Sequence, residues 1–238
     1  MSASPDWWTK PRRVAVVVDT PGWFDRHAEV LVEEIGRQGD RATFARGYHE
    51  FDAVDVAFYL SCLKIVPPDG LAKARVNLVA HASDLPKGRG FSPIVWQILE
   101  GRREIPLRLI HAADPVDSGD IVLSDSIIFE GHELNDELRD TLGKRIIDLC
   151  MAYLAAPSPA AGRPQQGQAT WYARRKPEDS RLDPQRTIAE QFDLLRVVDN
   201  ARYPAFFEMR GHRYIVRITK AIDEEAKQPP RSDENSDD

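Results

Sequence analysis

The chain has 238 residues, of which 42% are hydrophobic and 29% charged, enough for one hydrophobic core of full size. Glycine and proline occur in ordinary numbers, which excludes collagen-like and low-complexity chains. No run approaches the roughly 18 apolar residues of a membrane span. The first residues lack the apolar stretch of a signal peptide, so we expect no membrane association and no secretion.

The formal net charge of −6 is concentrated at the C-terminal end of the chain. Residues 221–238 contain seven acidic and two basic residues, and we predict that this acidic tail is disordered. The rest of the chain is therefore close to neutral. It shows no broad basic face, and we expect no nucleic-acid partner.

The two cysteines, Cys62 and Cys150, lie far apart, each in an apolar run. This spacing offers neither a disulfide framework nor a Cys-x-x-Cys zinc site. We expect no bound metal, and a reducing, cytoplasmic location is the default.

The N-terminal half alternates apolar runs with a helical pattern. Four strands are predicted, at residues 14–18, 41–45, 54–60 and 75–81. Between the first two, apolar residues recur at helical spacing from residue 25 to 38, and Gly39 ends that helix. This order predicts a βαβ sheet.

The second half continues the pattern and then changes composition. Ser92 is the predicted N-cap of a helix whose first residue is Pro93. After this helix the sequence predicts, in chain order, two strands, a long helix, a Pro- and Gln-rich segment, a further helix starting at Asp183-Pro184 and a hairpin. Their predicted ranges are 106–112, 120–129, 133–154, 155–169, 183–198 and 203–218. Thr187 and Glu190 have the spacing of a capping box, although a position in the middle of the helix fits them equally well.

The predicted fold class is α/β, a Rossmann-like sheet with flanking helices and a small C-terminal helix-and-hairpin extension. The predicted domain boundaries are 1–155 for the sheet domain, 156–170 for a linker, 171–220 for the extension and 221–238 for the tail.

Two segments carry residues suited to acid–base chemistry. His81 is the last residue of a predicted buried strand, and ligands bind at the carboxyl ends of strands in open parallel sheets. A loop rich in Gly and Pro follows it. Asp117 lies in a second glycine-containing loop and could reach the same crevice. A histidine with a carboxylate partner is a common acid–base unit, although a strand cap and a turn residue would look the same.

The two segments together resemble the folate-dependent formyltransferases, the family that includes glycinamide ribonucleotide and methionyl-tRNA formyltransferases. The string Lys-Gly-Arg-Gly-Phe-Ser-Pro at residues 87–93 most resembles nucleotide-linked amino-sugar N-formyltransferases. The resemblance spans about residues 55 to 150. The matching positions are His81, Ser83, Leu85, Pro86, Arg89, Gly90, Pro93, Asp117, Gly119, Asp120 and Ile121.

The resemblance implies transfer of a formyl group from N10-formyltetrahydrofolate to an amine, with no metal. His81 would stabilise the oxyanion or move a proton, and Asp117 would accept the amine proton or hold the histidine ring and a water. The pterin would be bound mainly by backbone of two segments. Their residues are Leu63, Lys64, Ile65, Val66, Ala113, Asp114 and Val116.

One position departs from the family pattern. The catalytic asparagine of the family lies two residues before the histidine, where this chain has Val79. Asn77 lies four residues before His81, and two residues of strand add about 6.6 Å. A bulge could bring Asn77 forward as a catalytic residue, another amide or hydroxyl could replace it, or activity could be impaired.

The resemblance implies an amine acceptor, and we favour a nucleotide-linked amino-deoxysugar carrying dTDP, GDP or UDP, of the kind used for cell-surface glycans. A pyrophosphate needs nearby cations. The candidate acceptor-binding residues are Ser83, Lys87, Arg89, Arg174 and Arg175.

Three alternatives stay open. The chain could act on another small amine such as glycinamide ribonucleotide, or it could be a catalytically impaired formyltransferase-like binding protein. It could also be a dimer scaffold, since Phe206, Phe207 and Tyr214 could form an apolar subunit surface, and we expect a homodimer in any case.

Overall fold

The computed structural model describes residues 5–9 and 11–221, so the predicted disorder of the acidic tail lies outside the described residues except at residue 221. The strands are β1 (Arg13–Val17), β2 (Arg41–Ala45), β3 (Val54–Tyr59), β4 (Ala74–His81), β5 (Arg89–Gly90), β6 (Glu104–His111), β7 (Ile121–Ile128), β8 (Trp171–Tyr172), β9 (Ala205–Met209) and β10 (His212–Val216). The α-helices are α1 (Asp25–Arg37), α2 (Pro68–Leu71), α3 (Pro93–Leu99), α4 (Asn135–Ala155) and α5 (Phe192–Val197).

Six of these strands form the central sheet, in the order β2-β1-β3-β4-β6-β7. The first four are parallel, whereas β6 runs antiparallel to β4 and β7 antiparallel to β6. All six residues of β3 are buried, and five of them are apolar or aromatic; the sixth, Asp55, accepts a hydrogen bond from the Arg13 amide. The predicted α/β class is confirmed.

Helices α1 and α4 cover one face of the sheet. The stripe of α1 that consists of Ala28, Leu31 and Ile35 is fully buried against alternate residues of β1 and β3. Burial of each of the two larger side chains stabilises the fold by about 1.5–3 kcal/mol. The opposite face carries a smaller apolar cluster, covered by α2 and by the segment around Tyr48 and Phe51.

The C-terminal extension is anchored to the sheet domain by charged groups. Arg196 of α5 is 2% exposed, and its guanidinium donates to the carboxylate of Glu133 at 2.8 Å. Arg139 of α4 donates to Asp199 at 2.9 Å. The predicted hairpin is confirmed as β9 and β10, and the predicted domain boundaries stay predictions.

The predicted start of α3 is confirmed, since Ser92 occupies the N-cap position and Pro93 is the first helical residue. The Ser92 side chain makes no capping hydrogen bond, and its backbone lies in the left-handed region at φ 48°. One local prediction is wrong. The helix predicted from Asp183 begins only at Phe192, after a 3-10 turn at Ala189–Gln191. The side-chain amide of Gln191 pairs with both backbone groups of Asp183, which removes them from helical hydrogen bonding. Of the two alternatives for Thr187 and Glu190, the structure has the capping box, since the amide of Glu190 donates to Thr187 Oγ1 and the amide of Thr187 donates to the Glu190 carboxylate.

Two glycines, the tightly packed Gly119 and the exposed Gly36, offer a matched test of how packing limits the side chain at each position. A Cβ on Gly119 would overlap the backbone oxygen of His111, so we expect Gly119→Ala to lower the free energy of unfolding by about 1–3 kcal/mol. Gly36 lies in α1 with no atom within 4 Å of its added Cβ, and Gly36→Ala should raise stability by about 0.5–1 kcal/mol. Urea unfolding of both variants checks this, and equal effects would contradict it.

Candidate active site

The loop after β6 runs back along β4. The amide of Ala112 donates to the carbonyl of Asn77 at 2.9 Å, and five residues later Asp117 lies beside His81. This return is needed because β6 is antiparallel to β4, so that its end lies beside Leu78 rather than beside His81. The structure therefore brings the two predicted catalytic side chains together, by a path that the sequence did not indicate.

His81 and Asp117 form a buried pair, each less than a tenth exposed. His81 Nδ1 lies 3.6 Å from Asp117 Oδ1, and the other ring nitrogen, Nε2, lies 2.9 Å from the carbonyl oxygen of Gly88. A carbonyl only accepts, so Nε2 carries the proton of that bond. Nδ1, the other ring nitrogen, faces the Asp117 carboxylate. The second carboxylate oxygen, Oδ2, accepts a hydrogen bond from the Gly90 amide at 2.9 Å.

The backbone at Asp117 is in the left-handed region, with φ 59°. This conformation costs a non-glycine residue roughly 1–2 kcal/mol, so the surrounding structure must hold it. The close approach of Gly119 to His111 O contributes to that restraint. The glycine of the Asp-x-Gly-Asp segment is thus needed for the backbone path that presents the Asp117 carboxylate to His81.

Asp19, at the end of β1, restrains the first predicted pterin-binding segment. One carboxylate oxygen accepts hydrogen bonds from the amides of Leu63 and Lys64, at 2.8 and 2.6 Å. The other accepts from Thr20 Oγ1 at 2.9 Å. Asp19 was missed by the sequence analysis, although it follows the carboxyl end of a buried strand by two residues, and the strand-end argument applied to His81 would have found it.

One cleft of about 980 Å³ contains the His81–Asp117 pair. Both predicted pterin-binding segments line it, and Ile65 and Val116 present exposed apolar side chains there. The lining residues from these segments are Leu63, Lys64, Ile65, Val66, Ala113, Asp114 and Val116. Cys62 also lines the cleft, and burial raises the pKa of its thiol to about 12, so it is not a ready nucleophile at neutral pH.

Asn77 does not reach the cleft. Strand β4 pairs with β3 in continuous register through Asn77 and Val79, with no bulge to bring Asn77 forward. Its side-chain oxygen accepts from Tyr59 at 3.1 Å, and its NH₂ group donates to the carbonyl of Leu71 at 2.9 Å. Val79 lines the cleft in its place. The explanation that relied on a bulge is therefore excluded.

Three predicted acceptor-binding residues also do not line the cleft. Ser83 is 1% exposed beneath the loop, and Ser83 Oγ has no hydrogen-bond partner within the described chain. Arg89 donates to Gln165 at 2.6 Å and lies over Trp171, because the pairing of β5 with β8 directs it there. Lys87 lines a separate, smaller pocket together with Arg163.

Arg174 and Arg175 do line the cleft. Arg174 lies over the ring of Phe91, at 5.6 Å from its centroid. Arg175 donates to the carbonyl of Asp179 at 2.7 Å, while its Nε is buried with no hydrogen-bond partner among the residues the structure describes. The pKa of the Arg175 guanidinium is lowered by burial, and the charge of Asp179 offsets only part of that shift.

The segment predicted as a linker contacts both loops of the site. Its residues include Gln165, which donates to the carbonyls of Asp117 and Gly119, each at 2.8 Å. Thr170 accepts from the Gly88 amide at 2.8 Å. The sequence analysis missed these residues, since an aperiodic, Pro- and Gln-rich stretch carries no signal of the contacts that it makes.

The profile of the formyl transferase family matches residues 35–148, which contain this site. The chain belongs to the folate-dependent formyltransferase family. Curated relatives include methionyl-tRNA formyltransferases from Sinorhizobium medicae, 32% identical over 75% of this chain and 58% of the relative, and from Pelotomaculum thermopropionicum, 28% identical over 56% and 44%. This formyltransferase-family chain thus spans about half the length of the curated relatives it matches.

Solved structures share the fold of this family member. A methionyl-tRNA formyltransferase from Clostridium thermocellum has a TM-score of 0.75 at 21% identity, covering 90% of this chain and 95% of that one. A 4-N formyltransferase from Francisella tularensis has a TM-score of 0.61 at 14% identity, covering 90% and 100%. HypX from Aquifex aeolicus, solved with tetrahydrofolic acid, has a TM-score of 0.68 at 14% identity, covering 88% and 38%.

Two further observations concern the described residues only. No helix among residues 5–9 and 11–221 is both long and apolar enough to cross a membrane. Over the same ranges, no three His, Cys, Asp or Glu side chains cluster so that they could hold a metal ion.

We expect Asp19→Ala to free the segment at Leu63 and Lys64, because both amides lose their acceptor. Their hydrogen exchange should accelerate at least tenfold, measured by NMR or by mass spectrometry of the peptide that contains them. Asp52→Ala is the control, since Asp52 is exposed and has no hydrogen-bond or ion-pair partner in the described structure. Unchanged exchange in Asp19→Ala would show that Asp19 does not hold this segment.

Proposed function

We propose that this chain transfers the formyl group of N10-formyltetrahydrofolate to the amine of a nucleotide-linked amino-deoxysugar. The observation that carries the proposal is the buried His81–Asp117 pair in the large cleft of a formyltransferase-family chain. Both segments that the family resemblance assigns to the pterin line that cleft.

In the proposed reaction, His81 stabilises developing negative charge, and both His81 and Asp117 move protons. As the acceptor amine bonds to the formyl carbon, the formyl oxygen gains negative charge, which the N–H at Nδ1 of a protonated His81 ring stabilises, since the proton at Nε2 is held by the Gly88 carbonyl. The Asp117 carboxylate takes the proton that the amine loses. The bond from the formyl carbon to N10 then breaks, and a proton returned through His81 and Asp117 neutralises the leaving N10. All atoms and charges balance within the two substrates and this pair.

The charge of the cleft supports an anionic acceptor. Six basic residues line it against three acidic ones, and one of those acids, Asp199, is paired with Arg139. Arg174 and Arg175 line the cleft from the C-terminal extension, and guanidinium groups pair well with phosphate oxygens. The basic lining residues are Lys64, Arg139, Arg174, Arg175, Lys176 and Arg202.

The neighbours support two acceptor classes. The Francisella tularensis 4-N formyltransferase and a sugar N-formyltransferase from Shewanella sp. are matched over 100% and 98% of their chains, with TM-scores of 0.61 and 0.59. The curated relatives are named for methionyl-tRNA, which makes formyl transfer to an aminoacyl-tRNA the second candidate. Glycinamide ribonucleotide is a third candidate acceptor. The presence of Val79 in place of the family asparagine favours a different alternative, a binding protein without turnover.

We also propose a cytoplasmic homodimer. Both cysteines are free, as expected in a reducing compartment. Of the three residues predicted at the dimer surface, Phe206 is buried in the extension, whereas Tyr214 is 46% exposed and stacks on Phe207. Light scattering after size-exclusion chromatography measures the oligomeric state separately from activity.

The first experiment incubates the purified chain with N10-formyltetrahydrofolate and separate acceptors. These are dTDP-, GDP- and UDP-linked amino sugars, glycinamide ribonucleotide and methionyl-tRNA. We expect mass spectrometry to find one added CO unit on a nucleotide sugar. Formylation of the tRNA alone would overturn the sugar acceptor, and no formylation of any acceptor together with no thermal stabilisation by a folate analogue would overturn the whole proposal.

We expect His81→Asn and Asp117→Asn each to lower kcat at least about a hundredfold, the usual contribution of one acid–base group. Stopped assays at saturating substrate measure this, with circular dichroism to confirm folding. His212→Asn is the control, because His212 is exposed on the β9–β10 hairpin. Wild-type rates in either site variant would remove that residue from the mechanism.

A further inference from the structure

We propose that Gln165 is the positioning residue that holds Asp117 in register with His81. The expected effect on kcat rests on the proposed function, whereas the hydrogen bonds of Gln165 do not depend on it. Gln165 lies in a segment that we name the strap, residues 163–173, which crosses both loops of the site between α4 and the C-terminal extension.

The side-chain amide of Gln165 uses all its ordinary hydrogen-bonding groups. Its NH₂ donates to the carbonyls of Asp117 and Gly119, each at 2.8 Å, and its oxygen accepts from Arg89 at 2.6 Å. The orientation of the amide follows from its partners, since two carbonyls only accept and a guanidinium only donates. Gln165 therefore ties the backbone of the Asp117 loop to the strand that carries Gly90.

Asp117 needs such a tie for two reasons. Its backbone is in the left-handed region, which a non-glycine residue keeps only under restraint. The 3.6 Å between its Oδ1 and His81 Nδ1 is longer than a hydrogen bond, so small shifts of the loop decide whether a proton can pass. Within the described chain, Gln165 is the side chain from outside this loop that donates to the loop carbonyls on either side of Ser118.

The strap itself is held independently of Gln165. The amides of Arg89 and Phe91 donate to the carbonyls of Thr170 and Tyr172, at 2.9 and 3.1 Å. The Trp96 indole donates to the carbonyl of Ala173 at 2.9 Å.

Tyr172 strengthens the same attachment. Its ring stacks on Trp96, and its hydroxyl donates to Glu100 at 2.8 Å. Burial and this hydrogen bond raise the pKa of Tyr172 to about 12, so the hydroxyl stays a neutral donor at neutral pH. The attachments of the strap are thus separable from the tie that Gln165 makes, and loss of the Gln165 amide should disturb Asp117 without detaching the strap.

The test compares Gln165→Ala and Gln165→Glu with the control Gln168→Glu. Gln165→Glu keeps an oxygen for Arg89 but removes both donors to the loop carbonyls. Gln168 is exposed, with no hydrogen-bond partner in the described part of the chain, so its variant adds the same charge to the strap without breaking a contact. Hydrogen exchange is read at the amides of Arg89, Gly90 and Phe91, and kcat and KM are measured with the acceptor found above.

We expect the Gly90 amide, which donates to Asp117 Oδ2, to exchange at least tenfold faster in both Gln165 variants. The amides of Arg89 and Phe91 should keep their protection, because their acceptors belong to the strap. With an acceptor identified, kcat should fall at least tenfold while KM for both substrates changes less than threefold. Gln168→Glu should behave as wild type in both measurements.

Three results would overturn the inference. Equal loss of protection at all three amides would mean that Gln165 only attaches the strap. Wild-type protection and kcat in Gln165→Glu would mean that the contact with Arg89 is what matters. Unchanged Gly90 exchange in Gln165→Ala would mean that Asp117 needs no tie. If wild type formylates no acceptor and is not stabilised by a folate analogue, the proposed function fails, and the exchange data alone still decide the role of Gln165.

Discussion

The hydrogen bond from the Gly90 amide to the Asp117 carboxylate joins two loops that are far apart in the chain, and the rest of the site depends on that junction. A buried carboxylate needs such donors, because burying an unpaired charge is costly. The junction places the second carboxylate oxygen toward His81, whose other ring nitrogen is held by Gly88. Loss of the junction would leave a buried charge and a histidine with one partner.

The antiparallel strand β6 explains why so much of the chain surrounds this junction. In a fully parallel sheet the loop after β6 would leave at the same edge as His81. Here it starts beside Asn77 and must return along β4, which forces a left-handed residue at Asp117 and a close approach at Gly119. Packing of the strap against both loops restrains that unusual path, so a segment outside the family profile completes the site.

Much of the fold could be predicted from residue patterns. Strand β1 was found because a strand buried on both faces is a continuous apolar run, and α1 because its apolar residues repeat at helical spacing. Short pairings such as β5 with β8 could not be predicted, since two residues carry no period. The helix at Asp183 was placed too early because Gln191 binds the backbone there, which is a contact between side chain and main chain that no periodicity records.

By itself, the sequence determined the α/β class, the family and the pair His81 and Asp117, because those follow from local patterns and from motif residues at fixed spacing. Only the tertiary structure decided which polar residues belong to the cleft. It directed Asn77 toward Tyr59 and Arg89 toward Gln165, and it placed Asp19 and Gln165 in hydrogen bonds with the backbone of segments at the cleft. The physical reason is that strand direction and register decide where a side chain points, and both are set by pairing between segments distant in the chain.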